Sequence, residues 1–502
     1  GRGREAALFG GYPLSEMPAQ RFAERGYHVI LQGARGCLDS EGEFHAHVNE
    51  APDGQATVAW IAEQPWFNGT LATWGPSYLG YTQWAVAAGN PDCLKAMLPV
   101  VTSAENYSVT HPDGAFGLET RLRWAQGMHL MNHTHGRPLP ELLRRRFATD
   151  QEDRLQAAFK HLPLQTADEI AMGQETPLYR NILTHTNADD PFWTARDHSQ
   201  AVAGVTAAVH LIGGWYDYYL RGIVRDYAAL TAAGRAPYLT IGPWHHAHPQ
   251  GMLAGLREGI TWFDAQLKGQ AGTLRQKPVR LFIMGAGQWR EFDQFPPPTQ
   301  EIPYYLHAAA RLSSQPPEKA STPDHYRYDP ADPTPAVGGA LLGAENAGAV
   351  DNRPLEARAD VLTYTTEPLT DHLQIIGAPR LILYVRSSRE HTDFFGRLCD
   401  VAPGGRSTNI CDGLFRVAPG RGLPQDDGTL RLTFDLWPTA HRFQPGHRLR
   451  LQISSGAHPR WSRNLGTGHD LATAMAMAVA AQTIYHDTAH PTCLILPVIP
   501  HP

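Results

Sequence analysis

Before Pro296-Pro297-Pro298, continuous apolar runs alternate with stretches whose apolar residues recur every third or fourth position. The runs at 27–32, 70–74, 95–101, 207–212, 238–241 and 279–284 are short, and most are bounded by Gly or Pro, which predicts buried strands. The stretches at 14–25, 53–64, 81–88 and 261–268 have helical spacing, with Gly26, Gly89 and Pro91 as stops. Strands alternating with helices predict a parallel sheet covered on both faces. Between about 105 and 200 the alternation breaks; 118–131 and 141–161 are helical with no strand signal between them, as in an inserted cap. After the proline run, 382–385, 430–434 and 449–453 read as strands. Turn clusters at Pro403-Gly404-Gly405, Pro419-Gly420 and Pro445-Gly446 separate them, which predicts an all-β sandwich or jelly roll. The expected organisation is an α/β core in two parts, 1–104 and 201–298, a helical cap at 105–200 and a jelly roll at 299–502.

One junction in this pattern carries chemistry. The run at 70–74 leads through Gly75-Pro76-Ser77-Tyr78-Leu79-Gly80 into the helix at 81–88, so a serine stands at the apex of a strand–turn–helix. That is the context of a nucleophile elbow, in which small neighbours relieve a strained turn. Leu79 stands where the usual G-x-S-x-G spacing has its second glycine, and Gly80 comes one later. Taken alone, the motif also fits an ordinary turn serine.

Composition narrows the class. A chain of 502 residues with 42% hydrophobic and 18% charged residues is a globular protein of several domains. A net charge of -6 without a basic run argues against nucleic acid as a partner. No apolar run reaches the roughly 20 residues of a membrane span. The cysteines, Cys37, Cys93, Cys399, Cys411 and Cys493, are odd in number and lack C-x-x-C spacing, which suits a reduced chain in the cytoplasm. The sequence opens on Gly1-Arg2-Gly3-Arg4 and reaches a strand-like run at Tyr27, so native chain is expected to precede Gly1.

Two later strand ends give the elbow its meaning. In an α/β-hydrolase the nucleophile is succeeded along the chain by an acid and then a histidine, each at a strand end. The run at 207–212 ends in Gly213-Gly214-Trp215-Tyr216-Asp217, and the run at 238–241 ends in Gly242-Pro243-Trp244-His245-His246. Histidine can take the serine proton near neutral pH, and aspartate fixes its tautomer and offsets its charge. The backbone N–H of Tyr78 would be an oxyanion donor. The spacing leaves His245, His246 and His248 as candidate bases, and His245-His246-x-His248 could alternatively bind zinc. The triad accounts better for the neighbours, so neither metal nor cofactor is expected. His129, His133 and His135 read as polar cap surface.

These stretches resemble the cocaine esterase/X-Pro dipeptidyl-peptidase type of α/β-hydrolase. The resemblance extends through Arg35-Gly36, Gln64-Pro65-Trp66, the elbow, Gly214-Trp215-Tyr216-Asp217 and Gly242-Pro243-Trp244 with His246. It continues through Tyr328-Asp329-Pro330, Thr392-Asp393-Phe394, Cys411-Asp412-Gly413 and Pro445-Gly446-His447-Arg448. It implies the three-part fold described above, with Ser77 as nucleophile, Asp217 as acid and His246 as base. It also implies that Trp124 and Tyr219 line the substrate pocket. The family's second oxyanion donor, a tyrosine hydroxyl, has no match in this chain; Tyr12 lies too far along. Carboxylates that hold a substrate ammonium in one branch are replaced here by Tyr219 and Leu220. The implied activity is hydrolysis of a small-molecule ester through an acyl-enzyme, with an amide or dipeptidyl substrate as the alternative. Homo-oligomerisation stays open.

Overall fold

The structure, a computed structural model, describes residues 16–37, 40–134 and 141–500, without the side chains of 132–134 and 141–147. Tyr12 and His135 lie outside the described residues, and His133 outside the described side chains. Among the described residues no helix is long and apolar enough to cross a membrane.

Six strands, β1 (Leu71–Pro76), β2 (Leu94–Val100), β3 (Ala208–Tyr216), β4 (Tyr238–His245), β5 (Val279–Ile283) and β6 (Gln288–Phe292), form one sheet in chain order. The first five are parallel and β6 returns antiparallel to β5. β2 and β3 are buried along nearly their whole length, as a sheet covered on both sides requires. Successive side chains divide between the two coverings. On one face Ala96, Leu98 and Val100 of β2 meet Phe22 of α1 (Glu16–Ala23), along with Leu256, Trp262 and Phe263. On the other, Met97 and Leu211 meet Trp84, Leu220 and Ile223.

The run at 27–32 is not a strand. It pairs with no described strand, and Val29, Ile30 and Leu31 are 37%, 40% and 57% exposed. Apolar, β-branched composition suits a strand, but only a ladder partner makes one. The 261–268 helix is real but starts twelve residues earlier than its periodicity suggests.

The remaining helices before the second sheet system, in chain order, are α2 (Glu50–Ala62), α3 (Tyr78–Ala87), α4 (Tyr107–Thr110), α5 (Leu118–Thr134), α6 (Glu141–Lys160), α7 (Ala167–Met172), α8 (Pro177–Thr184), α9 (Pro191–Thr194), α10 (Leu220–Ala232) and α11 (Pro249–Lys268). α4 to α9 lie between β2 and β3, and the cap they form has its own core, in which Leu118, Leu122 and Ala125 of α5 pack on Leu155, Phe159, Tyr179 and Leu183. α10 and α11 come after β3 and β4 and cover opposite faces of the sheet.

From Gln300 onward the chain builds a second, largely antiparallel sheet system. The two sheets meet directly. Met284 donates its amide to Ala440 O at 2.9 Å and accepts from the Arg442 amide at 2.8 Å. The buried Tyr216 hydroxyl donates to Asn409 O at 3.1 Å.

Buried charges hold this second unit. Arg397 and Arg460, 0% and 4% exposed, converge on Asp412, which is 2% exposed. Burial alone would raise the Asp412 pKa, but the two guanidiniums outweigh it and hold the carboxyl below the usual range. Gly413 is required beside it because a Cβ there would stand 2.8 Å from Asp435 O. Asp393 is held by Arg416 through two contacts of 2.9 and 2.7 Å. Removing Asp412 strands two buried cations, so Asp412→Ala is expected to lose about 3–5 kcal/mol of unfolding free energy at neutral pH. A depressed carboxyl pKa stabilises above the unfolded value near 4, and the gain fades as pH falls through the lower folded value. Urea unfolding at several pH values should therefore show the wild-type advantage over the variant shrinking only in acid; an equal gap at every pH would rule this account out.

Candidate active site

β1 ends where β2's ladder still holds it: the Ser77 amide donates to Val100 O at 2.9 Å. Ser77 itself takes φ 55°, ψ −120°, outside both the helical and the strand regions, and α3 begins at the next residue. Such a conformation costs roughly 1–3 kcal/mol and persists only where the surroundings enforce it. Gln83, one turn into α3, enforces it here. Its side-chain amide donates to Gly75 O and Leu98 O at 3.2 Å and accepts from the Leu98 amide at 3.2 Å, clamping the helix to both strands.

The unusual glycine spacing has a steric reason. A Cβ on Gly75 would lie 2.5 Å from Leu79 Cβ, and one on Gly80 would lie 2.4 Å from Thr102 Cγ2. Leu79 points outward, 41% exposed, and needs no small side chain. The crowded position is three residues beyond the serine, so the glycine stands there.

Asp217 and His246 come together through the β3–β4 ladder. The register slips between Gly214 and Tyr216, so that Tyr216 pairs with His245. The next residues, Asp217 and His246, therefore leave the two strands side by side. A Cβ on Gly214 would meet Trp244 O at 2.2 Å, so this close approach depends on glycine. Bulges commonly re-aim a side chain beside a functional site.

One imidazole bridges the serine and the acid. His246 Nε2 lies 3.0 Å from Ser77 Oγ, and His246 Nδ1 lies 2.8 Å from Asp217 Oδ2. Asp217 is fully buried, and its other oxygen accepts the Tyr219 amide at 2.7 Å. A carboxylate can only accept, so Nδ1 carries the proton and Nε2 presents its lone pair to the serine. The His245 ring stands 5.0 Å from that of His248, and no group of three or more side chains that could hold a metal is found among the described residues. The amide of Tyr78 opens α3, a position without an intrahelical acceptor, and is thus available beside Ser77.

Trp124 and Tyr219 both reach this region. The Trp124 ring stacks 6.4 Å from that of Tyr78, the residue after the serine. The Tyr219 ring stands 5.7 Å from His246, and its hydroxyl donates to Asn106 Oδ1 at 3.4 Å.

Sequence reasoning missed several participants. The buried Tyr218 hydroxyl lies 3.1 Å from His246 Nε2, with its ring 4.3 Å from the imidazole. Burial pushes its pKa well up, so it is a neutral donor that competes with Ser77 for the same lone pair. Its adjacency to Asp217 was the available signal. Glu50, in the first turn of α2, accepts the Tyr78 hydroxyl, to which the His47 amide also donates at 3.0 Å. Nothing in local pattern pointed to Glu50. Beside the site lies a cavity of about 90 Å³, walled in part by Phe44, His47, Asn106, Arg121, Phe192 and Trp193.

Comparison with known proteins identifies relatives along nearly the whole chain. The profile of the X-Pro dipeptidyl-peptidase (S15) family matches residues 9–248, and that of the X-Pro dipeptidyl-peptidase C-terminal non-catalytic domain matches 271–495. The chain is 34% identical to the cocaine esterase of Rhodococcus sp. (strain MB1 Bresler), over 95% of its length and 89% of the esterase. Its fold is similar to that of an α-amino acid ester hydrolase, with a TM-score of 0.80 at 24% identity, covering 96% of this chain and 87% of the other. It is likewise similar to an aminopeptidase from the marine sediment archaeon Thaumarchaeota archaeon, with a TM-score of 0.79 at 23% identity, covering 93% and 84%. An α/β-hydrolase core bearing a serine elbow, a helical cap and a C-terminal β unit matched along nearly its whole length place this chain in the X-Pro dipeptidyl-peptidase (S15) family of serine hydrolases.

Proposed function

We propose that this enzyme hydrolyses a small-molecule ester through an acyl-enzyme formed on Ser77, with Asp217 and His246 completing the triad. The observation that carries the reading is the single imidazole spanning Ser77 Oγ at 3.0 Å and Asp217 Oδ2 at 2.8 Å. His246 takes the serine proton as Oγ attacks the ester carbonyl, and Asp217 stabilises the imidazolium. The Tyr78 N–H donates to the oxyanion. His246 then returns the proton to the leaving alcohol, and water repeats the sequence to release the acid.

The S15 match favours a second reading, cleavage of a dipeptidyl or other amide bond on the same triad. A dipeptidyl substrate brings a free ammonium that needs a carboxylate partner. The adjoining cavity has no Asp or Glu in its wall, which supports the ester. Cys93, Cys399, Cys411 and Cys493 are not in disulfides, in keeping with the cytoplasmic placement proposed for the enzyme.

Wild-type protein should react with a fluorophosphonate probe at Ser77, and Ser77→Ala should not. Activity on p-nitrophenyl esters should exceed that on aminoacyl-p-nitroanilides; the reverse order would favour the peptidase reading. His246→Ala should lose roughly 10⁴-fold or more in kcat, as when a triad base is removed, while His245→Ala keeps most of the rate. A dead His245→Ala beside an active His246→Ala would overturn the assignment. Because Trp124 covers the residue next to the nucleophile, Trp124→Ala should reorder the preference among esters. A uniform loss on all of them, together with lower stability, would make it a core residue instead.

A further inference from the structure

α5 carries two arginines two residues apart with opposite surroundings. Arg123 is fully engaged, bonding Glu119 at 2.8 Å and Glu152 at 2.6 and 2.9 Å. Arg121 is 3% exposed, yet its Nε and Nη2 have no partner and it belongs to no ion pair among the described residues. Those two nitrogens form one edge of the guanidinium. Elsewhere in this chain the same edge grips a carboxylate: Arg416 holds Asp393 at 2.9 and 2.7 Å, and Arg180 holds Asp168 at 2.9 and 3.3 Å. On Arg121 that edge holds no carboxylate, and the Tyr219 hydroxyl is the polar group beside the guanidinium.

The surroundings suit an anion. Arg121 and Arg196 both line the cavity beside the site, and its wall contains no carboxylate. Arg196 is committed to the carbonyls of Ala46 and Phe192 at 3.1 and 2.5 Å and forms no ion pair among the described residues, with Glu50 acting on it from farther off. Asn106, 3% exposed, also lines the cavity; the Tyr219 hydroxyl donates to its Oδ1, and its Nδ2 has no partner. Burial, reinforced by Arg121, holds His47 well below the usual histidine range and His111 at about 3, so neither adds charge at neutral pH. A buried cation without a paired counter-charge is costly, and Arg121 has no ion-pair partner among the described residues.

The cavity also adjoins the catalytic centre. The Tyr219 hydroxyl faces the Arg121 guanidinium, and its ring stands 5.7 Å from His246. We propose that this cavity is a carboxylate-binding subsite, and that the preferred substrate is an ester whose acyl chain ends in a free carboxylate, held by the Nε–Nη2 edge of Arg121 and the Asn106 amide. The substrate assignment rests on the serine-hydrolase reading above; the subsite itself does not. At about 90 Å³ the space suits a short acyl chain.

The test pairs binding with kinetics. In a Ser77→Ala background, millimolar propionate should raise the melting temperature, and adding Arg121→Gln should abolish that shift. In the active enzyme, kcat/KM for p-nitrophenyl hemisuccinate should exceed that for p-nitrophenyl butyrate. Loss of a charge-assisted bond should lower this ratio in Arg121→Gln by roughly 10- to 100-fold, and Arg121→Lys should recover part of it through charge alone. Arg121→Met, which removes an unpaired buried charge, should melt no lower than wild type without ligand. A propionate shift absent from the first protein or unchanged by Arg121→Gln overturns the subsite. A ratio equal in wild type and Arg121→Gln overturns the substrate assignment, and a large drop in melting temperature for Arg121→Met shows a structural arginine instead. If no ester is turned over and Ser77 resists the fluorophosphonate, the hydrolase reading has failed, and the propionate result decides the subsite alone.

Discussion

The pair formed by Asp217 and His246 is the interaction on which the site depends. An aspartate without solvent exposure must have its charge answered locally, and here both oxygens are committed, one to the Tyr219 amide and one to His246 Nδ1. The first bond shapes the loop after β3, and the second sets the imidazole tautomer. Neither residue could reach the other in an unbroken ladder. The slip at the ends of β3 and β4, made room for by Gly214, is what brings them side by side.

Around that pair the protein distributes buried charge unevenly. In the second sheet system, Asp412, Asp393 and Asp400 are each answered by arginine or histidine, and each acts as a fastening. Around Ser77, burial keeps Tyr218 neutral and His47 uncharged, and Arg121 has no ion-pair partner among the described residues. Evolution commonly leaves such costs uncompensated where function needs the unsatisfied group.

Much of this was legible in the sequence because it obeys local rules. The buried strands of the first sheet are continuous apolar runs, and the elbow announces itself as a serine between small residues at a strand end. The order Ser77, Asp217, His246 comes from strand ends alone, whereas the choice between His245 and His246 required the family resemblance. The 27–32 run misled because its composition is that of a strand while its pairing is decided by tertiary neighbours. Tyr218, Glu50 and Arg121 were missed for a related reason. Their importance lies in contacts across 28, 28 and 98 positions of the chain, to His246, Tyr78 and Tyr219, and no local periodicity encodes those.

The bond from Tyr216 to the second sheet has a wider consequence. Tyr216 is the residue before Asp217, and its hydroxyl rests on the backbone of Asn409, whose own side chain orders Val350, Asn352 and Gly348. The position of the acid is thus referenced to a scaffold nearly two hundred residues downstream. A survey of inactivating substitutions would then light up positions around Asn409 as if they were catalytic, although they touch no substrate. Telling these apart from true site residues calls for scoring the fraction of molecules that are active separately from the rate of each active molecule.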